Sequence, residues 1–579
     1  MNHRHNPFEY EQATTFAPTF VREVFIEDHN FTRFIQSNRN VFLIGERGSG
    51  KSMTLLFNSI AVQILDGGRS RLPDALPHLG IYVPCNTPLF HKREHELVES
   101  PEMAGIISEH FMVIGIAFAI AKGMNLFASS IQRSNERKLR EEFIYVLGAD
   151  LLPHRPIMEA LESYLQKQAR SSQENLNRLD LDGFRGQAFT FSSLIHPLLS
   201  AIGRLPSLNN PHFLILIDDA HDLNSYQMEA LNSWISYRDR SLFSFKVAVA
   251  DSVKYKFRTA SGGTILEGHD FLSIDLERPF QSANSDYGKL AKDVVERRLS
   301  RIGLNVSAEE FFPPSRDFQV NIERCREAAE LEAQSRYPNP DDTKRRRDYV
   351  YKYGRVKYFR ERAAQANLPP YSGFETLTHI STGVIRNLLR PCYWMYDAVY
   401  SNQSESERQR PMTMIPPEVQ TRVIRDQSER LWRWIETSLA NSVDDCTLED
   451  ATRLYRLLDK LANLFRERLL RANSEPRALA FSISALDDDL SSKLTPLLEL
   501  GRRAQLLYFR SGPAKDDGRR ETYYVPNRML WPIRGLDVVG QHARVSLRAR
   551  DLWSAAANGV EFPFTESDAA QGDLFDGQD

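Results

Sequence analysis

Residues 40–62 read NVFLIGERGSGKSMTLLFNSIAV, and this stretch decides the fold. A short apolar run comes first, a turn rich in glycine follows, and apolar residues then recur at helical spacing. That order predicts a strand, a loop and a helix. The loop carries Gly45, Gly50, Lys51 and Ser52 in the G-x-x-x-x-G-K-[ST] pattern, which binds phosphate when a strand precedes it and a helix follows.

The residue types of this loop indicate a nucleotide and its metal ion. Glycines let backbone N–H groups turn inward onto phosphate oxygens, which side chains would block. Lys51 would place a positive charge on the β- and γ-phosphates, and the Ser52 hydroxyl would ligate Mg²⁺. The residues expected to contact the nucleotide are Gly45, Gly48, Ser49, Gly50, Lys51, Ser52 and Met53.

The second half of the predicted site is a pair of acids after a continuous apolar run. Residues 213–217 read as a strand buried on both faces, and Asp218 and Asp219 follow at its carboxyl end, where ligands bind in open α/β sheets. Asp218 would hold Mg²⁺ through water, and Asp219 would orient or deprotonate the attacking water. Two acids that cap the next helix are the alternative. No N-K-x-D motif follows, which favours ATP over GTP.

With these motifs in place, the chain resembles AAA+ ATPases, and among them the origin-recognition-type initiators and their bacterial relatives. The resemblance covers about residues 20–400. It implies that Asp251, at the end of the strand after the acids, senses the γ-phosphate, although a helix cap reads the same way. It also implies that Arg386, in Gly383-Val384-Ile385-Arg386, is a lid arginine on the phosphates; a surface arginine is the alternative.

The resemblance further implies assembly into a homo-oligomer. In these ATPases an arginine near the end of the helix after the sensor reaches into a neighbour's site, so that hydrolysis depends on assembly. Arg258 is similar in position, and an exposed arginine on a short basic helix is the alternative. The family's acidic pair more often ends in Glu, so Asp219 departs from it by one methylene. Slow, switch-like hydrolysis is therefore expected.

The predicted fold class is α/β: a parallel-sheet P-loop core of the AAA+ type with a helical lid, then a mainly helical C-terminal region with a winged-helix-like module. The expected parts are a flexible N-terminus over 1–12, the core over 13–280 with a helical insertion at about 90–185, the lid over 281–405, the C-terminal domain over 418–560, and a disordered acidic tail over 561–579.

Composition sets the outer limits. The 73 basic residues nearly cancel the 76 acidic ones, so affinity for nucleic acid must come from local patches. Four widely spaced cysteines fit a reducing cytosol and give neither a zinc site nor a disulfide scaffold. The most apolar stretch, 111–121, falls short of the about 20 residues that cross a bilayer. The N-terminus has no apolar signal core, so a cytoplasmic protein with no membrane partner is expected.

Two basic regions point to double-stranded DNA. Between Lys344 and Arg362 nine basic residues are interleaved with aromatic residues. The basic side chains can bind phosphates, and the aromatic rings can stack on nucleobases. A solvated helix with its aromatic side chains in the core is the alternative. The region from Arg502 to Arg550 predicts a helix and a two-stranded wing, which would bind either DNA or a protein. The candidate DNA contacts in it are Arg502, Arg503, Arg519 and Arg520.

The acidic tail contains Gln571, Leu574 and Phe575 in a peptide that resembles bacterial motifs for docking on the replication sliding clamp. The sequence as a whole predicts an AAA+ ATPase that hydrolyses Mg-ATP slowly to control assembly and DNA binding. One alternative is an ATP-gated regulator in a phage-defence or mobile-element complex, which acts on an effector protein without its own DNA grip. Another is a nucleotide-binding scaffold that hardly hydrolyses.

Overall fold

The structure is a computed structural model of the 579-residue chain, and it divides into two compact units. The first unit comprises Glu11–Glu277, and the second comprises Met1–Tyr10 together with Arg278–Asp579. The residues that the structure describes are 6–27, 31–66, 69–70, 76, 78–91, 98, 100–128, 131–177, 187–236, 242–250, 255–276, 285–365, 367–408, 410–471, 478–513, 520–540 and 543–563.

A parallel sheet forms the centre of the first unit. The strands described in this unit are β1 (Val41–Ile44), β2 (Leu65–Asp66), β3 (Arg69–Ser70), β4 (His78–Pro84), β5 (His212–Asp218), β6 (Phe243–Val249) and β7 (Leu272–Asp275). Five of these strands form the parallel sheet in the spatial order β4, β5, β6, β1, β7, and β2 and β3 form a separate two-stranded sheet. Every residue of β5 and β6 is buried, as expected for parallel strands covered on both faces. The predicted α/β fold with a parallel sheet is confirmed.

Helices cover this sheet. They are α1 (Pro18–Val24), α2 (Thr32–Ile35), α3 (Lys51–Phe57), α4 (Ile60–Gln63), α5 (Pro101–Asn125), α6 (Arg133–Leu147), α7 (Ile157–Asn177), α8 (His196–Gly203) and α9 (Ser225–Ile235). The helix α3 begins at the lysine of the glycine loop, as the quoted stretch predicts. The helices α5, α6 and α7 lie within the expected insertion between β4 and β5.

The apolar stretch 111–121 lies inside α5, which is much longer than the stretch itself. Among the described residues, α5 is the one helix that is long and apolar enough to cross a membrane. However, 61% of its most apolar window is buried inside the structure, and a core helix passes the same test of length and composition. Its buried apolar residues from Met112 to Met124 pack in the apolar core that also contains strands of the sheet.

The second unit is mainly helical and ends in a mixed sheet. Its helices are α10 (Asp286–Arg301), α11 (Ala308–Phe311), α12 (Arg316–Arg336), α13 (Thr343–Ala364), α14 (Phe374–Ile380), α15 (Ile385–Asn402), α16 (Glu405–Arg408), α17 (Pro417–Thr437), α18 (Leu439–Ser442), α19 (Leu448–Leu470), α20 (Asp488–Arg503) and α21 (Ala549–Asn558). Its strands are β8 (Ala478–Ser484), β9 (Leu507–Pro513), β10 (Arg520–Pro526) and β11 (Ala543–Arg548).

The helix and hairpin expected near the C-terminus are present as α20 followed by the antiparallel pair β9 and β10. The hairpin is part of a larger sheet with the order β11, β8, β10, β9, in which β8 and β11 run parallel. One apolar core contains residues from Tyr287 to Phe562. Buried side chains of the predicted lid and of the predicted C-terminal domain therefore pack in the same apolar core of this unit.

The prediction of a flexible N-terminus over 1–12 is wrong for residues 6–10, which pack on the second unit. Phe8 is 0% exposed, and its ring lies 5.9 Å from the ring of Phe311. The guanidinium of Arg298 donates to two backbone carbonyls of the segment, at 3.0 and 2.8 Å. Burial of a large aromatic side chain with these hydrogen bonds offsets the entropy lost on ordering a terminus.

Candidate nucleotide-binding site

The glycine loop connects β1 to α3 and depends on its glycines for its shape. Gly48 and Gly50 have φ angles of 90° and 105°, in the left-handed region that side chains disfavour. At Gly45 the obstacle is steric, because a Cβ atom would lie 2.9 Å from Ser49 Oγ. The loop can therefore curve tightly and present its backbone, as a phosphate cradle requires.

Two side chains of the loop fit a phosphate ligand. In the part of the chain that the structure describes, Ser49 Oγ is buried and has no hydrogen-bond partner. Lys51 is 4% exposed, and its Nζ donates to the carbonyl oxygens of Gly45 at 2.6 Å and Glu46 at 2.8 Å. A buried cation and an unsatisfied hydroxyl beside one glycine loop suit an anionic ligand that accepts hydrogen bonds.

Met53, which was expected to contact the nucleotide, lies one residue after Ser52 on α3. Its side chain packs against the apolar cluster formed by Val21, Phe25 and Phe57. The side chain is therefore engaged in the core between α1 and α3.

The loop serine and the first acid are neighbours in the structure. Asp218 ends β5 and is 0% exposed, and the Ser52 hydroxyl lies close enough to lower the pKa of its carboxyl. Two donors reach the carboxylate within hydrogen-bond distance: the Tyr82 hydroxyl lies 2.6 Å from Oδ2, and the Asp219 backbone N–H lies 3.0 Å from Oδ1. The structure thus brings Lys51, Ser52 and Asp218 together at the carboxyl edge of the sheet.

The electrostatics of Asp218 favour a neighbouring cation. The pKa of its carboxyl is raised to about 6, chiefly by burial and next by the nearby charge of Asp219. Hydrogen bonds from Tyr82 and Ser52 and the charge of Lys51 oppose the shift in pKa. A divalent metal ion at this position would stabilise the ionised form of a carboxylate that burial disfavours.

The second acid stands in a strained turn. Asp219 has a φ of 55°, a left-handed conformation that a residue other than glycine adopts at a cost of about 1–3 kcal/mol. The amide Nδ2 of Asn86, just after β4, donates to Asp219 Oδ2 at 3.3 Å. Neither Asn86 nor Tyr82 was predicted from the sequence, although a polar residue directly after the strand that contains Ile81 is a signal for the same sheet edge.

A histidine adjoins this edge as well. His221 Nδ1 accepts the backbone N–H of Ala250 at 3.3 Å, and its Nε2 lies 3.5 Å from the guanidinium of Arg47 in the glycine loop. The expected sensor Asp251 follows Ala250 directly but lies outside the described residues. His221 therefore connects the loop, the acidic turn and the end of β6.

The helix predicted to carry Arg258 is absent over the residues that the structure describes there. Arg258 is exposed and pairs with Thr264 in an isolated β-bridge, and residues 255–257 are not helical. The Asn232 side chain donates to the carbonyl oxygens of Lys256 and Arg258, at 2.7 and 2.8 Å. In a helix these backbone carbonyls would accept hydrogen bonds from later backbone N–H groups. Because the Asn232 side chain takes that place, the segment is extended and not helical.

Arg386 lies in the second unit, at the second residue of α15, and is half-buried. The turn before it has left-handed φ angles at both Thr382, 56°, and Gly383, 85°. The hydroxyl of Thr382 accepts the backbone N–H of Arg528 at 3.0 Å. The predicted lid arginine thus follows a tightly fixed turn.

Much of the basic region in α13 is engaged within the second unit. Arg355 forms a bidentate ion pair with Asp537, at 3.1 and 3.0 Å, and Asp537 is 3% exposed. The basic residues of α13 whose side chains donate to a carboxylate or a backbone carbonyl of the same unit are Arg345, Arg346, Arg355, Lys357, Arg360 and Arg362. The rings of Tyr358 and Phe359 are buried, whereas Tyr351 is 52% exposed.

The candidate DNA contacts near the hairpin β9–β10 are similarly engaged where they are described. The guanidinium of Arg502 lies over the Phe509 ring at 5.1 Å, and Arg503 donates to the Asp444 carbonyl at 2.9 Å. Arg519 lies outside the described residues, and only the backbone of Arg520 is described.

The acidic tail begins with residues that pack on the second unit. Lys460 Nζ donates to Glu561 at 2.6 Å, and Phe562 is 7% exposed. The prediction of a disordered tail over 561–579 is therefore wrong for Glu561 and Phe562, because burial of Phe562 and the ion pair at Glu561 hold them. The predicted clamp motif, Gln571, Leu574 and Phe575, lies outside the described residues.

The parallel sheet, the glycine loop and the buried acid at the sheet edge define a P-loop nucleotide-binding protein with an α/β core of the AAA+ type. The ORC-CDC6-like family model matches residues 6–330 and 317–547, and the chain belongs to that family. Membership implies a nucleotide-binding protein of the ATPase type, similar to origin-recognition initiators. A comparison with curated proteins finds no match.

Proposed function

We propose that the chain binds Mg-ATP and hydrolyses it slowly, and that the bound nucleotide controls assembly and DNA binding. The observation that carries this proposal is the proximity of Ser52 to the buried carboxylate of Asp218. These residues are far apart in sequence, yet the hydroxyl and the carboxylate lie near one another beside a glycine loop with a buried lysine. That combination of a hydroxyl and a carboxylate suits Mg²⁺, which binds oxygen ligands and retains waters beside phosphates.

The residues would divide the work as follows. Lys51 would bind the β- and γ-phosphates, and Ser52 and Asp218 would hold the metal, Asp218 through a water. Mg²⁺ would neutralise charge on the phosphates when it binds with ATP. Asp219 would orient or deprotonate the attacking water, while Asn86 fixes one oxygen of its carboxylate. Because Asp219 is shorter than the glutamate common in these ATPases, slow turnover fits this arrangement.

We infer a homo-oligomer in which nucleotide binding and assembly are coupled. The exposed side chain of Arg258 is free of the sheet core and would reach a neighbour's nucleotide. Arg386 and Asp251 would contact the nucleotide of their own chain. The support for these roles is the family resemblance, together with the fixed turn before Arg386.

Double-stranded DNA is the partner that we propose for the assembled protein. The exposed basic residues Lys344 and Arg347 of α13 would contact phosphates. The helix α20 and the hairpin β9–β10 would bind DNA in the manner of a winged helix. A second candidate function is an ATP-gated regulator of an effector protein in a phage-defence or mobile-element complex. The observation that favours it is that most basic side chains of α13 form hydrogen bonds with other groups of the same unit.

Fluorescence anisotropy with a labelled duplex separates the two functions. If the protein binds DNA, we expect the dissociation constant in ATP to rise by at least about tenfold between roughly 50 and 200 mM salt, because phosphate contacts release counterions. The double variant Lys344→Glu with Arg347→Glu should weaken binding by about tenfold, whereas Lys122→Glu, an exposed site on α5, should not. If the protein does not bind the duplex at low salt with ATP, DNA is excluded as the partner, and the regulator of an effector protein remains as the candidate function.

A further inference from the structure

A tyrosine of the neighbouring strand reaches the acid that the proposed site uses for its metal. Tyr82 lies on β4, which pairs in parallel with β5 so that Tyr82 is opposite Leu216 and Pro84 is opposite Asp218. The Tyr82 ring packs against the apolar cluster that contains Leu55 of α3 and Leu216. The ring is therefore fixed on the sheet face that α3 covers, and its hydroxyl extends along that face to Asp218 Oδ2 at 2.6 Å.

The three groups that could donate to the Asp218 carboxylate, from Ser52, Asp219 and Tyr82, differ in what holds them. Ser52 is itself a proposed metal ligand, so its hydroxyl has another partner once metal is bound. The backbone N–H of Asp219 belongs to a turn with a left-handed φ of 55°. Tyr82 alone of the three donors has its side chain anchored in a strand and an apolar cluster. Its hydroxyl is the donor whose position depends least on the bound ligand.

We propose that Tyr82 is a positioning residue for the metal half of the site: its hydroxyl holds Asp218 Oδ2 and thereby fixes the direction in which the carboxylate faces the metal and its waters. This inference rests on the proposed binding of Mg-ATP. It assigns to Tyr82 a part of the contribution that Mg²⁺ makes to ATP affinity, and no part in the contacts between the loop and the phosphates.

Calorimetric titration of ATP in Mg²⁺ and in EDTA tests the assignment. The dissociation constant in EDTA divided by the dissociation constant in Mg²⁺ reports the contribution of the metal. For Tyr82→Phe we expect this ratio to shrink by about tenfold, since one hydrogen bond to a charged group contributes roughly that much. Affinity in EDTA should stay within about twofold of the original, because the phenyl ring keeps the packing on Leu55 and Leu216.

The matched control is Tyr255→Phe, which removes a buried hydroxyl of the same unit that donates to Asn232 Oδ1 at 3.0 Å. That variant should leave both dissociation constants unchanged. Thermal melts accompany each protein, and Tyr82→Met provides a second side chain without a hydroxyl if Tyr82→Phe does not fold.

The outcomes separate Tyr82 from the site as a whole. An unchanged ratio in a folded Tyr82 variant overturns the assignment, and so does an equal loss of affinity in Mg²⁺ and EDTA, which would indicate general damage to the fold. Absence of ATP binding to the unaltered protein in both solutions would instead remove the proposed function itself.

Discussion

Lys51→Ala is expected to lower ATP affinity by at least about a hundredfold. Lys51 is 4% exposed, and its ammonium group donates to the carbonyl oxygens of Gly45 and Glu46, inside the loop that would surround the phosphates. Charge-assisted bonds to phosphate are among the stronger polar interactions, and a buried site screens them little. Isothermal titration calorimetry with Mg-ATP measures the change.

Lys122→Ala is the matched control, because Lys122 is an exposed lysine of the same unit. Its ATP affinity should match that of the unaltered protein. A thermal melt of Lys51→Ala distinguishes a lost ligand contact from lost folding, since the substitution also removes two hydrogen bonds within the loop. Unchanged ATP affinity in folded Lys51→Ala protein would rule out the loop as the nucleotide site.

Asp219→Asn is expected to keep ATP affinity within about threefold and to reduce phosphate release by at least about a hundredfold. Loss of a general base typically reduces the rate by 10² to 10⁴. Asparagine is close in size and tolerates the left-handed φ of 55° that this turn requires. Its amide oxygen can still accept from Asn86, but the side chain cannot take a proton from water.

Asp222→Asn serves as the control for this variant. Asp222 belongs to the same turn, and burial followed by the charge of Asp219 raises the pKa of its carboxyl. Neutralising it changes the local charge by the same amount as Asp219→Asn without altering the proposed base. Normal phosphate release by Asp219→Asn would remove Asp219 from the catalytic role, and equal losses in both variants would indicate a general electrostatic effect.

The sequence was sufficient for the parts of the site that depend on neighbouring residues. The glycine loop follows from a local pattern, and the strand before Asp218 from a continuous apolar run. Tyr82 and Asn86 depend instead on which strand lies beside β5. The hydrogen bond from Tyr82 to Asp218 joins residues 136 positions apart, and such pairing is set by the order of strands in the sheet.

Tertiary contacts also explain the predictions that were wrong. The family resemblance placed Arg258 near the end of a helix, but the Asn232 side chain donates to two backbone carbonyls of that segment, which is not helical. Polar residues at the N-terminus suggested flexibility, yet Phe8 is buried in the second unit. The DNA contacts expected in α13 stay a prediction, but the run of basic residues behind it does not show that Arg355 pairs with Asp537, which lies 182 positions away.

A crystal structure with Mg²⁺ and a non-hydrolysable ATP analogue tests the nucleotide site most directly. We expect the triphosphate over residues 45–51, with the metal about 2.1 Å from Ser52 Oγ and joined to Asp218 through a water. A nucleotide bound elsewhere on the chain, or a metal that approaches neither Ser52 nor Asp218, would contradict the proposed site.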